Sequence, residues 1–232
     1  MGTLSSAAAS LFDNGTVPGY MLAKLLLQRG MALVYLLAFA AAWFQFRPLL
    51  GEHGLLPVPE FVKHVRFSDS PSIFFWFPKD AAFAAAAAAG AVISALALLG
   101  VTERFGTAVS MASWLALWVL YMSFVNVGQT FYGFGWESML CEAGFYAAFL
   151  GPAGVRPPFL VIMMFRWMLF RTMFGAGMIK LRGDACWRDL TCLYRHFETQ
   201  PMPNPLSWYF HWLPRPLLRG GVLYNHFVEL IV

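Results

Sequence analysis

The residues best suited to chemistry lie in one polar stretch, Lys180–Tyr209, of an otherwise apolar chain. Within it, His196 and Glu198 carry side chains that serve as general acids, general bases or metal ligands. A single pair of this kind in a polar loop more often makes ordinary hydrogen bonds. Cys186 and Cys192 are six residues apart, too far for a CxxC redox motif and without the second pair that zinc needs. This spacing leaves a disulfide and two free thiols open, and it predicts no metal site.

Four further charged side chains lie inside apolar segments, namely Glu137, Glu142, Arg166 and Arg171. An ionised side chain near the bilayer centre is costly unless it is paired or hydrated. The two segments are joined by a short turn near Gly154, so we expect an antiparallel hairpin. Glu142 and Arg166 each lie 12 residues from the turn centre, about 18 Å along the helix. Glu137 and Arg171 each lie 17 residues away, about 26 Å along the helix.

The equal depths predict that Glu142–Arg166 and Glu137–Arg171 are ion pairs or share one network. Two roles are open for these pairs. They either lock the hairpin together, which is the commoner role, or border a polar cavity for a substrate or a proton.

The composition requires a membrane. The 232 residues are 59% hydrophobic and 12% charged, against roughly 25% charged residues in a soluble domain. Mean hydropathy is +0.60, and several uncharged runs reach the roughly 20 residues that cross a bilayer. The predicted fold class is therefore an all-α, polytopic membrane helical bundle. Basic residues are scattered, so the net charge of +4 does not indicate nucleic-acid binding.

We predict about five complete transmembrane helices and the start of a sixth. The five spans are Gly30–Phe46 (ended by Arg47–Pro48), Ala81–Val101, Thr107–Val125, Phe131–Leu150 and Phe159–Ile179. Asn126–Gln129 is predicted to be a tight turn, and Phe74–Phe77 an aromatic patch at the membrane interface. The first run lacks a small-residue cleavage site, so it is predicted to be an uncleaved helix.

These segments divide the chain into four parts. We predict a flexible N-terminal arm over 1–19, a five-helix transmembrane core over 20–181, an extramembrane segment over 182–221 and the start of a further apolar helix over 222–232. Within the extramembrane segment, Pro201, Pro203 and Pro205 favour an extended path that cannot join a helix.

The polar stretch and its flanks together resemble the lipase maturation factor family. The resemblance lies in three blocks in this order: GAGMIKLRGDACWRDLTCL (Gly175–Leu193), HFETQPMPNPLSWY (His196–Tyr209) and NHFVEL (Asn225–Leu230). Weaker similarity extends it over most of the chain, in Gly51–Pro57, Phe134–Phe145 and Arg166–Arg171. The order and spacing of the blocks are highly specific.

The resemblance implies a multi-pass protein that helps secreted client enzymes such as lipases fold and assemble. It implies the endoplasmic reticulum membrane in a eukaryote, the plasma membrane in a bacterium, and no cofactor. It also implies a cytoplasmic N-terminus with segment 182–221 in the lumen, which agrees with five spans and favours a Cys186–Cys192 disulfide. The Lys and Arg tally points the other way, but the motifs are more specific. Family members usually continue past NHFVEL, so we expect the chain to be a fragment.

On this interpretation, the extramembrane segment is a surface for protein contact. Its candidate client-contact residues are Trp187, Asp189, His196, Glu198, Gln200 and Asn204.

Two other classes of function remain as alternatives. A membrane enzyme is the first, because the helical core with buried charges is similar in outline to the transmembrane half of vitamin K-dependent carboxylases. Glu142, Arg166, Lys180 and His196 would then border a lipid-accessible pocket. Against an enzyme, the sequence has no Ser-His-Asp set, phosphate loop or metal cluster. A transporter has less support, since no inverted repeat is visible.

Overall fold

The structure of the protein is a computed structural model that describes residues 20–200 and 204–231, and every regular element in those ranges is helical. The helices are α1 (Tyr20–Leu50), α2 (Val58–His64), α3 (Asp80–Leu98), α4 (Val101–Arg104), α5 (Thr107–Val127), α6 (Gly135–Ala147), α7 (Phe159–Arg182), α8 (Ala185–Arg188), α9 (Cys192–Thr199), α10 (Ser207–His211) and α11 (Arg215–Leu230), with 3-10 turns at Ile73–Phe75 and Gln129–Tyr132. The predicted all-α fold class is confirmed. The predicted arm 1–19, Pro201 and Pro203 lie outside the described residues.

The chain forms two compact units, unit 1 up to Met163 and unit 2 from Met164. The division falls inside α7. In the described ranges, α1, α3, α5 and α7 are long and apolar enough to cross a membrane. They correspond to the predicted first, second, third and fifth spans.

Two predicted helix ends differ from the structure. Helix α1 continues through Pro48 to Leu50, because a proline this close to a helix end disrupts little of the hydrogen-bond ladder. The Gly51 N–H closes the last turn by donating to the Arg47 carbonyl at 2.9 Å. The turn predicted over Asn126–Gln129 is wrong in its first half, since α5 remains helical to Val127.

The predicted fourth span, Phe131–Leu150, contains the shorter helix α6. Its 13 residues extend about 20 Å, whereas the hydrocarbon core of a bilayer is about 30 Å thick. The preceding segment is a 3-10 turn that starts at Gln129, whose φ is 49°. This left-handed backbone and the nearby Gly133 and Gly135 explain why a regular helix starts only at Gly135.

The segment that contains α6 nevertheless runs from one end of unit 1 to the other. Before α6, the Gln129 side-chain amide donates to the Leu56 carbonyl at 2.9 Å, just beyond the C-terminal end of α1. After α6, the Lys24 ammonium donates to the carbonyls of Pro152 and Val155, each at 2.6 Å, at the N-terminal end of α1. The segment between these contacts therefore runs the whole length of α1.

A cluster of aromatic rings forms the core of unit 1. The ring centre of Phe46 on α1 lies 4.8 Å from Phe124 and 5.0 Å from Phe83. Phe39, about two helical turns before Phe46, packs so closely on α3 that a Cβ at Gly90 would lie 2.4 Å from its ring. Glycine at this position therefore sets the distance between α1 and α3.

The patch predicted at Phe74–Phe77 is only partly interfacial. Phe74 is completely buried in the aromatic cluster, so the prediction is wrong for this residue. Trp76 and Phe77 are 64% and 67% exposed, as an interfacial position requires. The Ser72 hydroxyl fixes the turn by accepting from the Phe74 N–H at 3.2 Å.

Unit 2 has few buried apolar side chains. Within its described residues these are Cys192, Leu218 and Val222. Helix α9 packs against α10 and α11. Helix α11 begins at Arg215, seven residues before the predicted start at Val222, because Pro214 and Pro216 favour a helix start. That α11 opens a further membrane span stays a prediction.

Candidate functional site

The polar segment of unit 2 begins with two turns, one before and one after the short helix α8. The Asp184 carboxylate caps α8 by accepting from the Cys186 N–H at 2.9 Å. After α8 the backbone reverses at Leu190, which has a φ of 59°. The Thr191 N–H then donates to the Cys186 carbonyl at 2.8 Å. This turn brings Cys186 and Cys192 together in a disulfide with a Cα–Cα distance of 4.7 Å.

A half-buried polar network holds the same turn to α11. The Lys180 ammonium donates to the Asn225 side chain at 2.9 Å and pairs with the Glu229 carboxylate. It also lies 5.0 Å from the ring centre of Trp187, within cation–π range. The His226 Nε2 is 3.1 Å from the Trp187 carbonyl oxygen. Three separate parts of unit 2 therefore meet at one charge pair.

Sequence reasoning missed this network, although its members lie in the blocks that carry the family resemblance. Asn225 and Glu229 are four residues apart, a spacing that puts both side chains on one face of a helix. A lysine at the end of a span and an acid in the next apolar helix were the available signal. Distance along the chain hid it, because Lys180 and Glu229 are 49 residues apart.

The predicted client-contact residues occupy different environments. Asp189, His196 and Glu198 are exposed. Trp187 is half-buried and packs against His226 at a ring distance of 6.0 Å. Asn204 is exposed, but its side-chain oxygen accepts from the Leu206 N–H at 2.8 Å in the turn before α10.

Gln200 is the residue that follows α9, and it contacts the start of α10. It is half-buried, and its side-chain oxygen accepts a weak hydrogen bond from the Ser207 hydroxyl at 3.4 Å. Among the candidate residues, Asp189, His196 and Glu198 thus have the side chains most available to a partner.

Residues of α9, α10 and α11 line a cavity of about 210 Å³. Phe197 lines it and stacks on Phe210 at a ring distance of 5.2 Å. Glu198, His211 and Arg215 bring charged or polar groups to its lining. The cavity combines an apolar wall with polar groups, as small recognition pockets do.

An exposed aromatic surface adjoins this cavity and was not predicted. It consists of Trp208, Tyr209 and Trp212, each 67–69% exposed. The ring centres of Trp208 in α10 and Trp212, the residue after α10, lie 5.8 Å apart. Such rings are enriched at protein interfaces and at membrane interfaces.

The four charges predicted to pair inside the membrane are divided between the two units. Glu137 and Glu142 lie on α6 in unit 1, and Arg166 and Arg171 lie on α7 in unit 2. Within unit 1, Glu137 accepts from the Tyr121 hydroxyl and from the Trp136 indole N–H. Glu142 accepts from the Tyr146 hydroxyl at 2.5 Å. The two ion pairs stay predictions.

Across residues 20–200 and 204–231, no group of three or more His, Cys, Asp or Glu side chains is placed to hold a metal ion. The remaining cysteine, Cys141, is a half-buried free thiol in α6.

The family is decided by comparison with known proteins. A sequence model described as the lipase maturation factor transmembrane domain matches residues 22–232. The chain belongs to the lipase maturation factor family. It is 42% identical to lipase maturation factor 1 of Bos taurus over 235 residues, which cover 92% of this chain and 41% of that protein. It is 43% identical to the Homo sapiens protein of that name, with 92% and 40% coverage.

More distant relatives in the family are named lipase maturation factor 2. The Xenopus laevis protein is 32% identical over 222 residues, which cover 87% of this chain and 31% of that protein. The chain thus spans about 40% of the length of the curated relatives named first. No solved structure matches it. Nothing in these comparisons supports the carboxylase-like alternative.

Proposed function

We propose that this chain is the membrane part of a maturation factor that helps secreted lipases fold and assemble, and that segment 182–221 contacts the client. The family match over residues 22–232 carries the proposal, since it covers both the membrane helices and the polar segment. The names of the related proteins indicate the client class.

The geometry of unit 2 supports a contact role. Asp189, His196 and Glu198 are exposed on α9 and the turn before it. The Cys186–Cys192 disulfide and the Lys180 network fix the backbone beneath them. A surface held in place before binding loses less conformational entropy when a client docks.

The apolar features beside this surface suit a partly folded client. The cavity under α9 has the size for one large apolar side chain, and its Glu198, His211 and Arg215 can bond the client backbone. The rings of Trp208 and Trp212 add exposed apolar area next to it. Partly folded enzymes display apolar side chains that their native state buries, so these features complement them.

We also propose that the segment lies on the lumenal side of the endoplasmic reticulum membrane. The path of the chain along α1 between Gln129 and Val155 supports a crossing there, although α6 is short. With the spans α1, α3, α5 and α7, this crossing makes five, so the N-terminus and segment 182–221 lie on opposite sides.

A labelling experiment tests the orientation. Cysteine is placed at exposed His196 and, separately, at exposed Arg104 in a Cys141→Ser background, and sealed microsomes are treated with a membrane-impermeant maleimide. We expect Arg104→Cys to react from the cytoplasmic side and His196→Cys only after the membrane is opened. Equal reaction of both in sealed microsomes would refute the orientation.

A secretion experiment tests the function. Cells that lack their own maturation factor express the full-length protein and a secreted lipase, and the specific activity of the lipase is measured. A triple variant, Asp189→Ala, His196→Ala and Glu198→Ala, is expected to lower that activity about tenfold, the effect of losing one interface hot spot. The control is Glu60→Ala with Lys63→Ala, an exposed charge pair in unit 1. Equal activity with the triple variant and the control would contradict a contact role for α9.

A further inference from the structure

A cavity of about 470 Å³ opens on the side of unit 1, between α1 and α6. Its volume lies in the range of about 300–1,000 Å³ that small-molecule sites occupy. The α1 wall consists of one stripe of side chains at helical spacing, Val34, Leu37, Ala38, Ala41, Gln45 and Leu49. Phe131, Tyr132 and residues of α6 form the facing wall.

Exposed apolar side chains border the mouth of this cavity. Val34 and Leu37 are 48% and 62% exposed on α1, which is long and apolar enough to cross a bilayer. Trp136 on the opposite wall is 60% exposed. In a bilayer, these apolar side chains contact acyl chains, so a ligand enters the cavity sideways from the lipid.

The lining includes one acidic side chain whose contacts in unit 1 leave capacity to accept further hydrogen bonds. Glu137 lines it and accepts one hydrogen bond from Tyr121 and one from Trp136. A carboxylate has about four lone-pair sites, so acceptor positions remain. Gln45 adds a second polar group to a lining that is otherwise apolar or aromatic.

We propose that this cavity binds a membrane amphiphile, with its acyl chain along the α1 stripe and a hydrogen-bond-donating head group on Glu137. The apolar stripe accounts for the chain. The carboxylate accounts for the head group, because an anionic acceptor favours a hydroxyl or ammonium donor and disfavours an anionic head group. Lipids with hydroxyl heads and lipids with amine heads both supply this chemistry. The proposal is independent of any client contact in unit 2.

Photolabelling tests the site in the full-length protein in nanodiscs. Three probes carry the same diazirine acyl chain: a monoacylglycerol with hydroxyl donors, a phosphatidylethanolamine with an ammonium donor, and a fatty-acid methyl ester without a donor. We expect the monoacylglycerol or the phosphatidylethanolamine probe to label peptides around Phe131 and Leu140, and the ester to label them about tenfold less, as the loss of a hydrogen bond to a charged group predicts. Which of the two labels more strongly identifies the natural source.

Two variants separate the chain site from the head-group site. Ala38→Phe fills the cavity and is expected to abolish labelling, whereas Ala89→Phe, on an exposed position of α3 outside the cavity, is the matched control. Glu137→Gln keeps the shape of the side chain and is expected to remove the preference for donor probes.

The opposite results overturn the proposal. If Ala38→Phe is labelled as strongly as the wild type, the cavity is not the lipid site. If the ester labels the wild type as strongly as the donor probes, or if Glu137→Gln retains the preference, the carboxylate does not bind the head group. Should Glu137→Gln fail to fold, the ester comparison in the wild type and the Ala38→Phe result still decide the question.

Discussion

The two units of this chain maintain their structures by different means. Unit 1 is held by side-chain packing, with the rings of Phe39, Phe46 and Phe124 buried among its helices. Unit 2 buries few apolar side chains in its described residues, and its polar segment is fixed by a disulfide and the Lys180–Glu229 pair. Packing of large rings is insensitive to redox state, whereas a cross-link and a buried charge pair depend on compartment and context. Unit 1 contains three of the four candidate membrane spans in full, and unit 2 carries the candidate site.

The Phe46→Ala variant is the strongest test of the claim that side-chain packing stabilises unit 1. Phe46 is 1% exposed and packs against four aromatic rings, those of Phe74, Phe83, Phe124 and Tyr132. Truncating a buried Phe leaves a cavity and costs about 3–5 kcal/mol of unfolding free energy. Thermal unfolding of the purified protein in detergent measures the loss. Phe44→Ala is the control, because Phe44 is 76% exposed on the same helix; equal losses for both variants would refute packing as the basis of unit 1.

The second test concerns the charge pair of unit 2. Lys180→Met leaves the Glu229 carboxylate, whose side chain is 9% exposed, without its cation. Removing one partner of a buried pair typically costs about 3 kcal/mol or more, whereas replacing both with apolar residues is often neutral. We therefore expect faster hydrogen–deuterium exchange in α11 for Lys180→Met and recovery in Lys180→Met with Glu229→Leu. If hydrogen–deuterium exchange in α11 is as fast in the double variant as in the single one, this charge pair does not stabilise the network.

The sequence predicted the membrane spans better than the contacts between distant residues, for a physical reason. Membrane spans are signalled locally by long apolar runs, and four of the five predicted spans correspond to α1, α3, α5 and α7. The shortened α6 depends on backbone geometry at Gln129, which no hydropathy pattern reveals. The burial of Phe74 likewise depends on contacts with Phe46 and Phe124, which are far away in the sequence.

For the candidate site, the sequence located the segment but not its construction. Motif order pointed to Lys180–Tyr209, and the exposed positions of His196 and Glu198 were expected of a polar stretch. The contact of Lys180 with Glu229 was not foreseen, because the two residues are 49 positions apart in the chain. Nor was the exposure of Trp208, since an aromatic residue in a membrane protein is equally consistent with burial.

The third test acts on redox state. Replacing Cys186 and Cys192 with Ser removes a cross-link over a short loop, which stabilises by about 2 kcal/mol in the loop-entropy estimate. We expect faster deuterium exchange over α8 and α9 and unchanged exchange in α1 and α3. Treatment of the wild type with a reductant serves as an independent way of opening the same bond. Unchanged exchange in α9 after both treatments would show that the disulfide does not fix the candidate surface.

The smallest effect is expected for a charge pair in the packed unit. The Lys63 ammonium nitrogen and a Glu60 carboxylate oxygen on α2 are 2.7 Å apart, but the two side chains are 63% and 61% exposed. The hydrogen bond and the charge of Lys63 hold the pKa of Glu60 below its usual value. A carboxylate with a lowered pKa stabilises the folded state above its unfolded pKa and loses that contribution as the pH falls through its folded pKa.

Because solvent screens this pair, we expect Glu60→Gln to leave the melting temperature at neutral pH unchanged within error. Any difference in melting temperature from the wild type is expected above the unfolded pKa of Glu60, and it disappears as the pH falls through the folded pKa. Melting curves of both proteins from neutral to acidic pH measure this. A loss comparable to that of Lys180→Met would contradict the comparison, because an exposed pair in unit 1 would then matter as much as the buried pair in unit 2. The burial of a charge pair, more than the distance between its nitrogen and oxygen atoms, therefore decides how much the pair stabilises the fold.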